Sequence, residues 1–181
     1  MNKLYLYLYF TLFISLNSIS QISNLTPFQI PDLQLWLRSD SLVSLNQDSV
    51  YQWSDVSGNA RHASQSNKSF QPIYIGSVFK LNNKPVVKFD GVNDFMSFLS
   101  LNVSTAFILV KHEIPNTSYN TLLGNSTSYK WHGGVNQNLF NSYVETSNII
   151  NGQGYLNGNS ILPVNMEKPA EYSIIELFPS N

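Results

Sequence analysis

Apolar and polar positions alternate in short runs along this chain, separated by clusters of Asn, Ser, Gly and Pro, and no long stretch shows helical periodicity. The sharpest case is Val86-Val87-Lys88-Phe89-Asp90-Gly91-Val92-Asn93-Asp94-Phe95-Met96, where a strand-like run breaks into an Asp-Gly and Asn-Asp turn and then becomes apolar again. Val87 and Phe89 alternate with Lys88, as one buried face requires, and Gly91 supplies the positive φ that most tight turns need at one position. Upstream, Tyr51 and Trp53 fall on one face of an alternating segment that enters a turn of Asp, Ser, Gly and Asn at Asp55 to Asn59. The pattern predicts strands over Leu33 to Arg38, Val50 to Asp55, Pro85 to Phe89, Phe95 to Phe98, Thr105 to Lys111, Thr121 to Leu123, Leu139 to Val144 and Tyr172 to Phe178. Thr105 to Val110 has no charged or amide interruption, which predicts a central strand covered on both faces. Leu42 to Ser49 and Ala63 to Phe79 read as long loops or irregular edges. The expected class is therefore all-β, with no fixed-period repeat.

Three blocks of this pattern resemble a known family. They are the opening Leu35-Trp36-Leu37 strand, the run Trp53-Ser54-Asp55-Val56-Ser57-Gly58-Asn59 followed by Arg61-His62-Ala63, and the block from Asn83 to Asp94. Together they resemble the laminin-G-like, concanavalin A-like jelly-roll domains of secreted bacterial surface proteins. The resemblance covers Pro31 to Phe178, with its specific motifs between Leu33 and Phe98. It implies a two-sheet antiparallel jelly-roll sandwich and work at a cell surface or on glycans, because this superfold hosts lectins, adhesion modules and glycan-cleaving enzymes alike. The chain stops at Pro179-Ser180-Asn181, just after the apolar Ile174 to Phe178 run, where the family supplies further strands. The resemblance thus implies a C-terminally incomplete domain, belonging to a longer gene product or leaning on another chain.

The N-terminus reads as a targeting segment. Lys3 gives a minimal positive region, Leu4 to Leu16 is almost wholly apolar, and Ser18-Ile19-Ser20 puts small residues where a signal peptidase reads them. The run is shorter than the ~18 residues of a spanning helix. The expected organisation is a signal peptide over 1–20 cleaved before Gln21, a linker over 21–30 and the jelly-roll domain over 31–181, exported to the cell surface or beyond it.

Composition narrows the partners. Of 181 residues 43% are hydrophobic, which argues against disorder, and none is Cys, so core and sheet must supply stability without disulfides. Charged residues make up 12%, well under the ~25% of typical globular chains, and the net charge is -1. Asn, Ser and Gln must therefore cover the surface. No basic cluster appears, which sets aside nucleic acid and anionic membranes as partners, while the resemblance implies carbohydrate or a surface protein.

Candidate chemistry follows from this background. A retaining glycosidase needs two carboxyl groups about 5 Å apart on one sheet face, hence even spacing on a strand. The family's Glu-x-Asp-x-x-Glu motif is absent, and the nearest cluster, Glu167, Glu171 and Glu176, is interrupted by Pro169. No nucleophile elbow is present, and His62 and His132 read as loop residues. A non-catalytic module is expected, with a glycan hydrolase or lyase and a ligand-free spacer as alternatives. Calcium is the candidate cofactor: Asp90, Asn93 and Asp94 offer oxygen ligands within one turn, against the simpler reading that they cap it. For a sugar, Tyr129, Trp131 and His132 are the candidate contacts, since Trp131 is flanked by polar turn residues and so placed to present a ring to solvent. Trp36 and Trp53, inside strand patterns, read as packing residues.

Overall fold

Two antiparallel sheets account for nearly all the regular structure in the computed structural model, which describes residues 26–113, 122–124, 138–140 and 147–180. Contacts divide the chain into Met1–Asp32 and Leu33–Asn181. In the first unit the described residues carry one 3-10 turn, Pro27–Gln29. Both sheets belong to the second. Among the described residues no helix is long and apolar enough to cross a membrane.

The first sheet contains β1 (Val43–Asn46), β2 (Ser49–Trp53), β3 (Ala63–Ser64), β4 (Ile73–Val78) and β5 (Lys84–Lys88). Its order is β1-β2-β4-β5, with β3 also on β2. β3 and β4 share one edge of β2: Gln52 and Trp53 face Ser64 and Ala63, while Ser49 faces Ile73. The chain between β3 and β4 must therefore leave the sheet beside Tyr51, where the Gln65 amide donates to its carbonyl, and return beside Val50, whose amide donates to the Pro72 carbonyl. Val50 and Ala63 are buried here, and β5 follows β4 after a 3-10 turn, Phe79–Leu81, and two left-handed residues, Asn82 and Asn83.

The second sheet contains β6 (Ala106–Val110), β7 (Gln153–Leu156), β8 (Asn159–Ile161) and β9 (Ser173–Phe178), in the order β6-β9-β7-β8. Ser173, Ile175 and Leu177 alternate inward on β9. Ile175 and Leu177 join Leu139, Phe140, Ile149 and Met166 in the buried cluster, with Ala106, Ile108 and Val110 packed against it. A single helical turn, α1 (Ser147–Ile150), supplies Ile149. The β7 and β8 strands are joined by Asn157-Gly158, both at positive φ, the backbone a tight hairpin turn of this twist demands.

The all-β class is thus found, as two antiparallel sheets with little helix. Several local expectations are corrected. Leu33 to Arg38 forms no strand: its one ladder contact is the bridge between Leu37 and Asp55. Phe95 to Phe98 likewise contributes one bridge, Ser97 to Ser64. The stretches read as loops or irregular edges contain β1, β3 and β4: β1 and β3 are only four and two residues long, and Gly76-Ser77 interrupts the apolar run of β4. Thr105 to Val110 is not central and doubly covered: among the described residues β6 pairs with β9 alone, and Phe107 is 60% exposed and Leu109 58%. Their outward row continues in Ile174 and Phe178, with Phe107 and Tyr155 each edge-on to the Phe178 ring. The predicted strand Leu139 to Val144 lies mostly outside the described residues, as does Thr121.

Candidate functional site

The two turns that dominate the sequence are structural knots around a polar cleft. At the first, Asp55 is 6% exposed and each of its carboxylate oxygens is occupied. Oδ1 accepts the amides of Trp36 and Ser57 at 2.9 Å each, and Oδ2 accepts the Ser57 hydroxyl at 2.8 Å and the Arg61 amide at 3.0 Å. Burial pushes this carboxyl up, but the hydrogen bonds from Trp36, Ser57 and Arg61 outweigh it and hold it below the usual carboxylate value. His62 is an exposed loop residue whose Nδ1 accepts the Asp55 amide, and Asn59 Nδ2 donates to the Leu33 carbonyl at 2.7 Å. These bonds pin the Leu35-Trp36-Leu37 segment without a ladder, since the chain turns away at Ser57. Trp36 lies under the Arg38 guanidinium, 5.3 Å from its ring centre.

At the second knot Asp90 Oδ1 accepts three successive amides, those of Val92 at 2.8 Å, Asn93 at 3.0 Å and Asp94 at 3.1 Å. Asp94 Oδ2 answers by accepting the Asp90 amide at 2.8 Å, and Gly91 holds φ at 72°. Turn capping accounts for this arrangement. A calcium ion takes six to eight oxygens, whereas here one oxygen of each carboxylate is committed and no third Asp, Glu or His joins them among the described residues. The side chains of Asp90, Asn93 and Asp94 do not fill a calcium shell by themselves, and no binding step is assigned to the ion.

The pair also separates in acid strength. The amides of Val92, Asn93 and Asp94 hold Asp90 below the usual carboxylate value, while burial, helped by the Asp90 charge, raises Asp94 despite the amide it accepts. On acidification Asp94 takes its proton first, and Asp90 follows at lower pH. Carboxyl-detected NMR titration checks the order, and a reversed order would mean that the amides are not aimed at Asp90 Oδ1.

The turn at Asp90 redirects the chain from β5 so that Phe95 to Ser97 runs back beside β3. Ser64 and Ser97 exchange amide hydrogen bonds at 2.8 and 3.0 Å, and the Phe95 amide donates to the Phe70 carbonyl at 3.1 Å. Phe95 is thereby fixed on the rim of a cleft of about 720 Å³, within the roughly 300–1,000 Å³ usual for small-ligand sites. Its walls come from Leu45 and Asn46 of β1, Tyr51 and Gln52 of β2, Ser64 to Ser66, and Gln71, with Phe95 and Ser97 opposite them in sequence. Among the described residues no charged side chain lines it.

The walls are built by amide bonds. The Gln65 amide donates to the Tyr51 carbonyl, its side chain donates to the Phe95 carbonyl at 3.2 Å, and its Oε1 accepts the Asn67 amide at 3.0 Å. Gln71 Nε2 donates to the Gln65 carbonyl at 2.7 Å, while Gln71 Oε1 is buried with no hydrogen-bond partner. Tyr51 is 44% exposed and Phe95 50%. None of these cleft residues was singled out as a ligand contact from sequence. The signal was present in part, since Tyr51 lies on the expected alternating face and Phe95 just past the turn, but their meeting depends on how the chain from Gln65 to Gln71 is folded. The expected contacts Tyr129, Trp131 and His132 lie outside the described residues.

Among the described residues the other carboxylates form no cluster of three. Glu171 pairs with Lys80 at 2.8 Å, Glu167 stands at a backbone bridge to Asn138, and Glu176 lies on β9 opposite Phe107. No family model matches this chain, and neither a curated protein nor a solved structure matches it.

Proposed function

We propose that this chain is an exported, non-catalytic binding or adhesion module of the laminin-G-like, concanavalin A-like jelly-roll type, recognising carbohydrate or a surface protein outside the cell. The observation that carries the reading is the chemistry of the cleft: amides, hydroxyls and two exposed aromatic rings, a set that holds a ligand and offers no group to exchange a proton with it near neutral pH. The two antiparallel sheets suit the jelly-roll assignment, and the apolar Leu4 to Leu16 run followed by Ser18-Ile19-Ser20 suits export.

Incubating the mature chain with a panel of polysaccharides tests the reading. Retention on at least one of them without new reducing ends or unsaturated products is expected. Turnover that disappears on replacing a single carboxylate would establish an enzyme instead. N-terminal sequencing of the exported product is expected to begin at Gln21.

A further inference from the structure

The cleft on the first sheet carries more than the capacity to bind. Among the described residues its lining has no Asp, Glu, Lys, Arg or His, so none of them compensates a carboxylate or sulfate on a ligand brought out of water. An anionic glycan would lose hydration and gain no ion pair. A neutral one loses only hydroxyl hydration, which amides and hydroxyls replace directly.

Two features say what such a ligand would present. The first is the polar lining, to which Asn46, Ser64, Ser66 and Ser97 belong, amides and hydroxyls that both donate to and accept from ligand hydroxyls. The second is the pair of half-exposed rings, Tyr51 and Phe95. Phe95 is held from both sides of its backbone, by the Phe70 carbonyl and the Gln65 side chain, so its position is set before any ligand arrives. A flat, partly apolar body edged with hydroxyls satisfies both features. That is a sugar ring with its C–H face on an aromatic side chain.

Resting on the binding-module reading, we infer that this cleft is a site for an uncharged saccharide, with Tyr51 and Phe95 as stacking rings and the amides and hydroxyls of the lining pairing with ligand hydroxyls. Selectivity for neutral over acidic glycans then comes from the absence of cations in the cleft, and binding responds little to salt, because no screened charge pair contributes.

The test compares retention on neutral polymers (cellulose, xylan, mannan) with retention on acidic ones (alginate, chondroitin sulfate), for the intact chain and for Tyr51→Ala, Phe95→Ala and Gln71→Met. Retention by a neutral polymer is expected to persist when salt rises from about 0.05 to about 0.5 M, a range that shortens the screening length severalfold. Each ring variant is expected to weaken it about tenfold or more, the loss of one stacking contact. Both rings are half-exposed, so their truncation leaves the fold in place, which far-UV circular dichroism and the unfolding midpoint verify. Gln71→Met keeps the volume but removes the Nε2 hydrogen bond to the Gln65 carbonyl, so it is expected to lower the unfolding midpoint and serves as the control for a loosened cleft wall. Binding confined to acidic polymers and abolished by salt overturns the neutral-saccharide inference and leaves the binding module intact. Neutral-polymer binding unchanged in both folded ring variants overturns the cleft as its location. Retention by no polymer in the panel overturns the inference and removes carbohydrate from the broader reading as well.

Discussion

Replacing Asp55 by Ala is expected to lower stability by about 1–3 kcal/mol, the cost of stripping a buried donor of its partner, since water reaches part of each of the half-buried donors involved. Three such donors lose their acceptor together: the Trp36, Ser57 and Arg61 amides, which all point at this one carboxylate. Asp55→Asn restores one acceptor oxygen but sets an NH₂ group toward donors, so it is expected to fall between the two. Urea unfolding monitored by tryptophan fluorescence measures both. The pH dependence has a defined sign. The folded state holds Asp55 below its unfolded value, so its contribution is fully present above that unfolded value and is lost as pH falls through the lower, folded one. The mutant should therefore show a shallower loss of stability in acid than the parent. A change under about 0.5 kcal/mol, the range of ordinary surface substitutions, would mean that the knot does not hold the segment before it.

Ile175→Ala is expected to cost about 2–5 kcal/mol, the usual range for removing a branched aliphatic side chain from a closed core. Ile175 is 0% exposed, lies on β9 between β6 and β7, and packs in the cluster with Leu177 and Met166. Its neighbour Ile174 is 47% exposed on the opposite face, so Ile174→Ala is expected to cost far less. The contrast tests register as well as burial. A one-residue slip of β9 would exchange the two faces and reverse the order of the two variants. Equal costs would show that this sheet does not have one covered side.

β5 and β9 were legible in the chain because Val86 to Phe89 and Ser173 to Phe178 alternate, and their bounds came out within a residue or two. The β7 to β8 hairpin carried an equally plain signal in Asn157-Gly158, flanked by Tyr155 and Ile161. Reading that dipeptide as a hairpin turn would have found both strands. β1 and β4 were not legible in the same way. Val43-Ser44-Leu45-Asn46 is too short to show a period, and in Ile73 to Val78 Gly76-Ser77 interrupts the apolar run while Leu45 and Ile73 stand exposed. β6 was placed to within a residue, but its place in the sheet was not: an apolar run states only that side chains avoid water in some context, and says nothing of how many neighbours a strand has.

The sequence by itself determined the all-β class, the two Asp-centred turns and the uncharged character of the surface, because each rests on local chemistry. Alternation sets the strand period, an Asp beside Gly or Ser caps its own turn, and a chain with 12% charged residues leaves amides and hydroxyls to meet water. Only the tertiary structure decided that the Asp90 turn delivers Phe95 to the rim shared with Tyr51, and that Gln71 closes that cleft with an unanswered acceptor. Those residues are 20 and 24 positions apart in the chain, Tyr51 to Gln71 and Gln71 to Phe95. Their meeting depends on β3 and β4 dividing one edge of β2, a pairing choice fixed by the whole sheet and written in no single segment.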